Sequence, residues 1–169
     1  EQWLRQSFTF NKKSIAINLL WDENIEYTLL ALKIAWDLKL DVSKDSYSFE
    51  FILQAGRFNI FERNWNILID SSYNAGPESM KKVIQNTKLA QRELYSNHKI
   101  IYVLWDMREI WEARETAHRG LAEYIIDSDA IMFIWPDTYS YTVPKLKELS
   151  YSGDLHSSLS ARDIGKYLK

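Results

Sequence analysis

Ile67-Leu68-Ile69-Asp70-Ser71-Ser72-Tyr73-Asn74-Ala75-Gly76-Pro77-Glu78-Ser79-Met80 is the stretch on which the fold of this 169-residue chain turns. A short apolar run of strand type ends in an acid, a tyrosine and an asparagine. Pro77 then stands where proline is favoured, in the first turn of a helix. The stretch therefore reads as a strand-to-helix turn facing a ligand, because open α/β sheets bind ligands past the carboxyl ends of their strands.

Further apolar segments at 100–105 and 130–135 read as buried strands, and 77–95 and 112–126 have helical spacing. This β-α-β-α-β alternation predicts an α/β fold, a Rossmann-like and mostly parallel sheet with flanking helices. A last helix is expected over 160–168. Upstream, 7–20 alternates and reads as two short strands joined at Asn11-Lys12-Lys13, followed by a helix over 24–39. The polar stretch 41–48 is the expected linker, with a short helix over 49–54 after it. The segments that follow the three strands, 70–77, 106–111 and 136–139, are where a site is expected.

Composition excludes several classes. A formal net charge of −2 gives no basic footprint for nucleic acid or an anionic membrane. No apolar run approaches the roughly 20 residues that span a bilayer, and residues 1–6 do not resemble a signal peptide. The absence of cysteine removes disulfides and thiolate metal sites and fits a cytoplasmic protein. One pair of counts is unusual: 7 Trp against 5 Gly. Together they come close to the share of about 7% that glycine alone ordinarily takes.

Within 70–77, the Asp70 carboxylate suits ribose hydroxyls, the free N–H groups of a helix start suit an anion, and Tyr73 and Asn74 add directional polar groups. The plainer alternative is a capped helix behind an Asn-Ala-Gly-Pro turn. After the next strand, Asp106 and Glu109 would suit an amine or a cation; the plainer alternative there is a solvated helix entry. His118 lies alone in a helix and is a poor candidate for a nucleophile or ligand. His98 and His156 carry no spacing signal, and no metal site is evident.

The stretch 70–77 resembles the Asp-Asp-x-Tyr-Asn-Ala-Asn-Pro motif of the Mur ligases, the ATP-dependent enzymes that extend the peptidoglycan stem peptide. Val103, Leu104, Asp106, Met107 and Glu109, with Ile110 and the later His118, are similar to the Val-Leu-Gly-Asp-Met-x-Glu-Leu-Gly of the branch that adds D-alanyl-D-alanine. Gly56-Arg57-Phe58 resembles the opening of that family's C-terminal domain. Leu20-Trp21-Asp22-Glu23-Asn24 resembles the Leu-Gly-x-His-Asn that closes its ATP-binding central domain. The order and spacing of these four motifs cover nearly the whole chain.

The resemblance implies that 1–45 is the end of the central domain and 46–169 the Rossmann-like C-terminal domain, lacking its last strands. It implies an ATP- and Mg2+-dependent ligase in peptidoglycan precursor synthesis. UDP-N-acetylmuramoyl-tripeptide and D-alanyl-D-alanine would be its substrates, and the protein would be cytoplasmic and monomeric. Arg57, Asp70 and Asn24 are then expected at the nucleotide, and Tyr73, Asn74, Asp106 and Glu109 at the substrates. The family's phosphate loop, carbamylated lysine and metal ligands are expected before residue 1. No catalytic residue or metal ligand is therefore assigned here, and these 169 residues alone are expected to be inactive. Another Mur or folylpolyglutamate-type ligase, or a non-catalytic Rossmann-like binding module, are the competing expectations.

The departures from the pattern are specific. Glu23 stands where the family has His, Tyr27 where it has Asn, Ser71 for the second acid and Gly76 for the second asparagine. Trp21, Trp65, Trp105 and Trp111 stand where it has glycine, and Trp36 and Trp135 where it has small residues or glycine. Glycine serves there because backbone turns tightly or approaches a ligand. These tryptophans are expected to mark UGA codons that the source reads as glycine; the alternative is a genuine, repurposed relative.

Overall fold

A computed structural model describes residues 6–18, 22–42, 44, 46–157 and 160–167. Leu20 and Trp21, part of the upstream motif, lie outside the described residues. The chain forms two compact units, Glu1–Gln54 and Ala55–Lys169.

In the first unit, β1 (Gln6–Phe10) and β2 (Lys13–Ile17) form the expected antiparallel hairpin. Its two turn residues, Asn11 and Lys12, have φ of 49° and 65°, the left-handed pair that a tight primed turn requires. α1 (Asp22–Asp37) follows, and Ile15 and Ile17 of β2 are fully buried. The expected linker differs. From its last three residues into Phe49, the chain alternates polar and aromatic, and Ser46–Phe49 is β3, parallel to β2 with Ile15 opposite Tyr47. The helix expected over 49–54 does not form. The Asn18 side chain takes the Phe51 N–H (2.7 Å) and gives its own N–H to the Phe51 carbonyl (2.9 Å), which holds that backbone extended. The division between units consequently falls after β3, between Gln54 and Ala55.

The second unit opens with β4 (Asn59–Arg63) and β5 (Asn66–Asp70). β5 was expected in the parallel sheet. Instead it pairs antiparallel with β4, Phe61 opposite Leu68, because Asn64 and Trp65 turn the chain in two residues. α2 (Pro77–Leu94) starts with Pro77 as its first residue, and Ser79 Oγ accepts the Gly76 N–H at 3.0 Å. β6 (Ile101–Leu104), β7 (Ala130–Phe133) and β8 (Asp154–Ser157) then form a parallel sheet in the order β6-β7-β8. Between β6 and β7 lie a single 3-10 turn (Trp111–Ala113), α3 (Arg114–Gly120) and α4 (Ala122–Ile125). α5 (Pro136–Glu148) connects β7 to β8, and α6 (Ala161–Tyr167) is the helix expected at 160–168.

The architecture is therefore mixed α/β, a three-stranded parallel sheet flanked by helices. All four residues of the central strand β7 are buried, as a parallel strand covered on both faces requires. Ile84 of α2, Ile125 of α4 and Leu146 of α5 close over Ile131 and Phe133 to make the core. Among the described residues, no helix is long and apolar enough to cross a membrane.

Candidate ligand-binding cleft

The turn after β5 is built by short-range hydrogen bonds and one close backbone approach. Asp70 Oδ1 accepts the Ser72 N–H at 3.0 Å, an Asx turn that folds the strand end back. Asn74 Oδ1 accepts the Ala75 N–H at 2.8 Å. The Tyr73 N–H donates to the Gly56 carbonyl at 3.0 Å, so the Gly-Arg-Phe segment and the 70–77 turn meet. Gly56 has φ of +76°, and a Cβ there would lie 2.7 Å from the Tyr73 backbone nitrogen. Glycine is the residue that satisfies both conditions. The contact sets the Arg57 guanidinium 4.0 Å from the centroid of the Tyr73 ring, a cation–π stack on an exposed tyrosine.

The turn after β6 is tied to the start of α5. Asp106 Oδ1 accepts the Thr138 N–H at 2.7 Å and the Thr138 hydroxyl at 2.9 Å, and Oδ2 accepts the Asp137 N–H at 3.2 Å. Asp106 thus caps α5 from another loop, meeting N–H groups that helix geometry leaves unpaired. Arg114 at the start of α3 pairs with Asp137 as well. The Arg108 guanidinium stacks 4.3 Å from the centroid of the Trp135 ring.

These turns line one open cleft of about 400 Å3, walled by Tyr73, Asn74, Trp105, Asp106, Arg108 and Trp135. It lies beside the carboxyl ends of β5, β6 and β7. Tyr73, Asn74 and Asp106 are brought together there. Arg57 stacks on the wall residue Tyr73 and Asp70 accepts the Ser72 N–H in the same turn, but neither is part of the wall. Glu109 is exposed with φ of 63° and is not part of the wall. Asn24 belongs to the first unit, on α1, where its carbonyl accepts the Thr28 hydroxyl at 2.7 Å. Among the described residues, no group of three or more His, Asp or Glu side chains could hold a metal ion.

One wall residue, Arg108, was not singled out in the sequence, although it lies two positions after Asp106 in a segment where a site was expected. Trp135, directly before the proline that opens α5, stood out there only as a departure from the Mur ligase pattern. The tryptophans divide into two kinds. Trp105 is half-buried against the core and Trp135 walls the cleft. Trp65 and Trp111 are 87% and 85% exposed, with left-handed φ of 67° and 38°.

No family model matches the chain, and no curated protein matches it in sequence. Solved structures do. A crystal structure of MurF from Acinetobacter baumannii superposes with a TM-score of 0.68 at 19% identity, over 92% of this chain and 33% of that one. MurF ligase from Thermotoga maritima, in complex with ADP, gives 0.57 at 17% identity, over 96% and 44%. The UDP-N-acetylmuramoylalanyl-D-glutamyl-2,6-diaminopimelate–D-alanyl-D-alanyl ligase of Acinetobacter baumannii gives 0.62 at 19% identity, over 96% and 34%. The fold resembles the C-terminal part of MurF. This chain spans between about a third and less than half of those MurF chains. The MurF-like fold also includes the short first unit, since the match extends over more than nine-tenths of the chain.

Proposed function

We propose that this chain is part of an ATP-dependent amide-forming ligase that adds D-alanyl-D-alanine to UDP-N-acetylmuramoyl-tripeptide, in cytoplasmic peptidoglycan precursor synthesis. The observation that carries this reading is the convergence of two motif-bearing turns, 70–77 and 105–108, on one cleft. The MurF-like fold and the ADP bound by the Thermotoga maritima ligase support it. The first unit would close the ATP-binding domain, and the second would be the domain that closes over the nucleotide.

When bound, ATP would supply the phosphoryl group that activates the tripeptide carboxylate for attack by the dipeptide amine. The residues of this chain would bind and orient. Arg57, stacked on Tyr73, would meet a phosphate or ribose oxygen with its guanidinium. Asp70 uses one carboxylate oxygen on Ser72, and its other oxygen suits a ribose hydroxyl. Tyr73 and Asn74 would line the gap between phosphate and amine, with Asp106 on the dipeptide side and Glu109 further along the same turn. Asn24 would be a nucleotide contact in the complete ligase. The Mg2+ ligands, and the lysines that stabilise developing charge, are assigned to sequence outside this chain. On this reading the chain alone forms no amide bond, and the complete ligase acts as a monomer.

A binding module is the second reading; an exposed, contiguous set of Trp105, Trp111 and Trp135 would favour it, and of these Trp111 and Trp135 are exposed while Trp105 packs against the core. Titration of the isotopically labelled chain with ADP, and separately with D-alanyl-D-alanine, separates the two. ADP should shift the amides of Arg57, Tyr73 and Asn74, and the dipeptide those around Asp106. Arg57→Ala should weaken ADP binding by roughly tenfold, the size expected for one charge-assisted contact. Saturable ADP binding that ignores Arg57 and the 70–77 turn would refute this assignment.

A further inference from the structure

His118 is fully buried, and both of its ring nitrogens are committed. Nδ1 lies 2.7 Å from the Arg114 carbonyl oxygen, which can only accept, so Nδ1 carries the proton. Nε2 lies 2.9 Å from the Met107 backbone N–H, which can only donate, so Nε2 is bare. One state of the imidazole satisfies both partners: neutral, with its proton on Nδ1. The backbone of His118 is anchored as well, and a second ring packs nearby. Thr142 of α5 donates its hydroxyl to the His118 carbonyl at 2.7 Å, and the Tyr141 ring lies 6.1 Å away, centroid to centroid.

Met107 is the residue this arrangement secures. It is 2% exposed and stands between Asp106, which caps α5, and Arg108, which stacks on Trp135. We propose that His118 is the positioning residue of the cleft: through the Met107 N–H it holds the 105–108 wall where Asp106 can cap α5 and Arg108 can meet Trp135. The proposal rests on reading this cleft as the ligand site. It gives a helical histidine, which the sequence offered as a poor nucleophile or ligand, control over a wall contributed by another turn.

The test uses the labelled 169-residue chain without any ligand. Long-range proton–nitrogen correlation at neutral pH should show His118 protonated on Nδ1 and bare on Nε2. His118→Leu keeps the site apolar but removes the acceptor. Amide exchange at Met107 should then rise by roughly tenfold or more, as for a buried donor deprived of its partner. Exchange at Thr138, across the Asp106 cap, should rise with it, while the β8 amides stay protected. His118→Gln, whose side-chain oxygen can replace Nε2 as acceptor, should restore Met107 and Thr138 together. A proton on Nε2, or His118→Leu exchange that leaves Thr138 unchanged or rises equally in β8, would overturn the proposal. If His118→Leu does not fold, the nitrogen spectrum of the unmodified chain decides. A chain that binds no nucleotide yet shows the coupled exchange would fail the functional reading and keep this one.

Discussion

Gly56→Ala should cost the second unit about 3 kcal/mol and release Tyr73 from its place at the cleft. Three effects add in that figure: about 1 kcal/mol or more for an L residue held at positive φ, about 1 for the lost backbone hydrogen bond, and the clash. The new methyl would meet backbone at 2.7 Å (the Tyr73 nitrogen) and 3.2 Å (the Ser72 carbonyl carbon) as well as the Ser72 hydroxyl at 3.1 Å, so rotating that side chain away would not relieve the clash. Because Arg57 is the next residue and stacks on Tyr73, the substitution should also abolish the effect of ADP on both amides. Gly120→Ala is the matched control, since a Cβ there meets nothing within 4 Å and the position is helical. It should be neutral or stabilising by up to about 1 kcal/mol. Urea unfolding of the two variants measures the contrast, and equal midpoints would show that the Gly56 approach is not tight.

Trp65→Gly and Trp111→Gly should each stabilise the chain, together by about 2 kcal/mol. At 65 the two-residue turn of the β4–β5 hairpin needs positive φ at both centres, which Asn64 and Trp65 supply at 51° and 67°. Asn-Gly is the favoured pair for that geometry. A bulky residue there carries about 1–2 kcal/mol of backbone strain, and an indole that is 87% exposed returns almost no burial. His98 is unaffected, because its Nε2 contacts the Trp65 carbonyl (3.0 Å) and not the side chain. Trp111, at φ of 38° and 85% exposed, presents the same conflict. Thermal unfolding of the single and double variants checks the sum, and destabilisation by both would show that the tryptophans belong where they stand. The strain at these two positions supports the reading that they are glycine in the source organism. Peptide masses from the native protein at 65, 105 and 111, or codons other than UGA, decide that question.

Periodicity made the β1–β2 hairpin, α1, α2 and the cores of β6 and β7 legible in the sequence. It did not reveal β3, whose alternation was submerged in a polar run. Nor did it reveal β8, since Asp154-Leu155-His156-Ser157 gains its strand geometry from parallel pairing with β7 and not from its own character. α5 was hidden by Pro144 inside it, a residue that ordinarily argues against a helix interior. The cleft's position was partly legible, because loops gather at the ends of parallel strands such as β6 and β7, whereas its other wall follows the antiparallel strand β5. Its internal organisation was not. Asp106 finds its partners 31 and 32 residues further along, and His118 acts on Met107 from 11 residues away. Such pairings exist only once the sheet has brought the loops together. The same contacts explain why Asp106 looked like a solvated acid in the sequence and is a helix cap in the fold.

The burial of Met107 also has a chemical consequence. The chain has no cysteine and three methionines, so thioether is its only sulfur. Met107 and Met132 are sealed in the core, whereas Met80 on α2 is only partly covered. A mild peroxide therefore meets Met80 first and leaves the other two reduced for as long as the unit stays closed. Sulfoxide at Met107 would be a chemical record that the wall of the cleft had swung open, written into the polypeptide without any engineered probe.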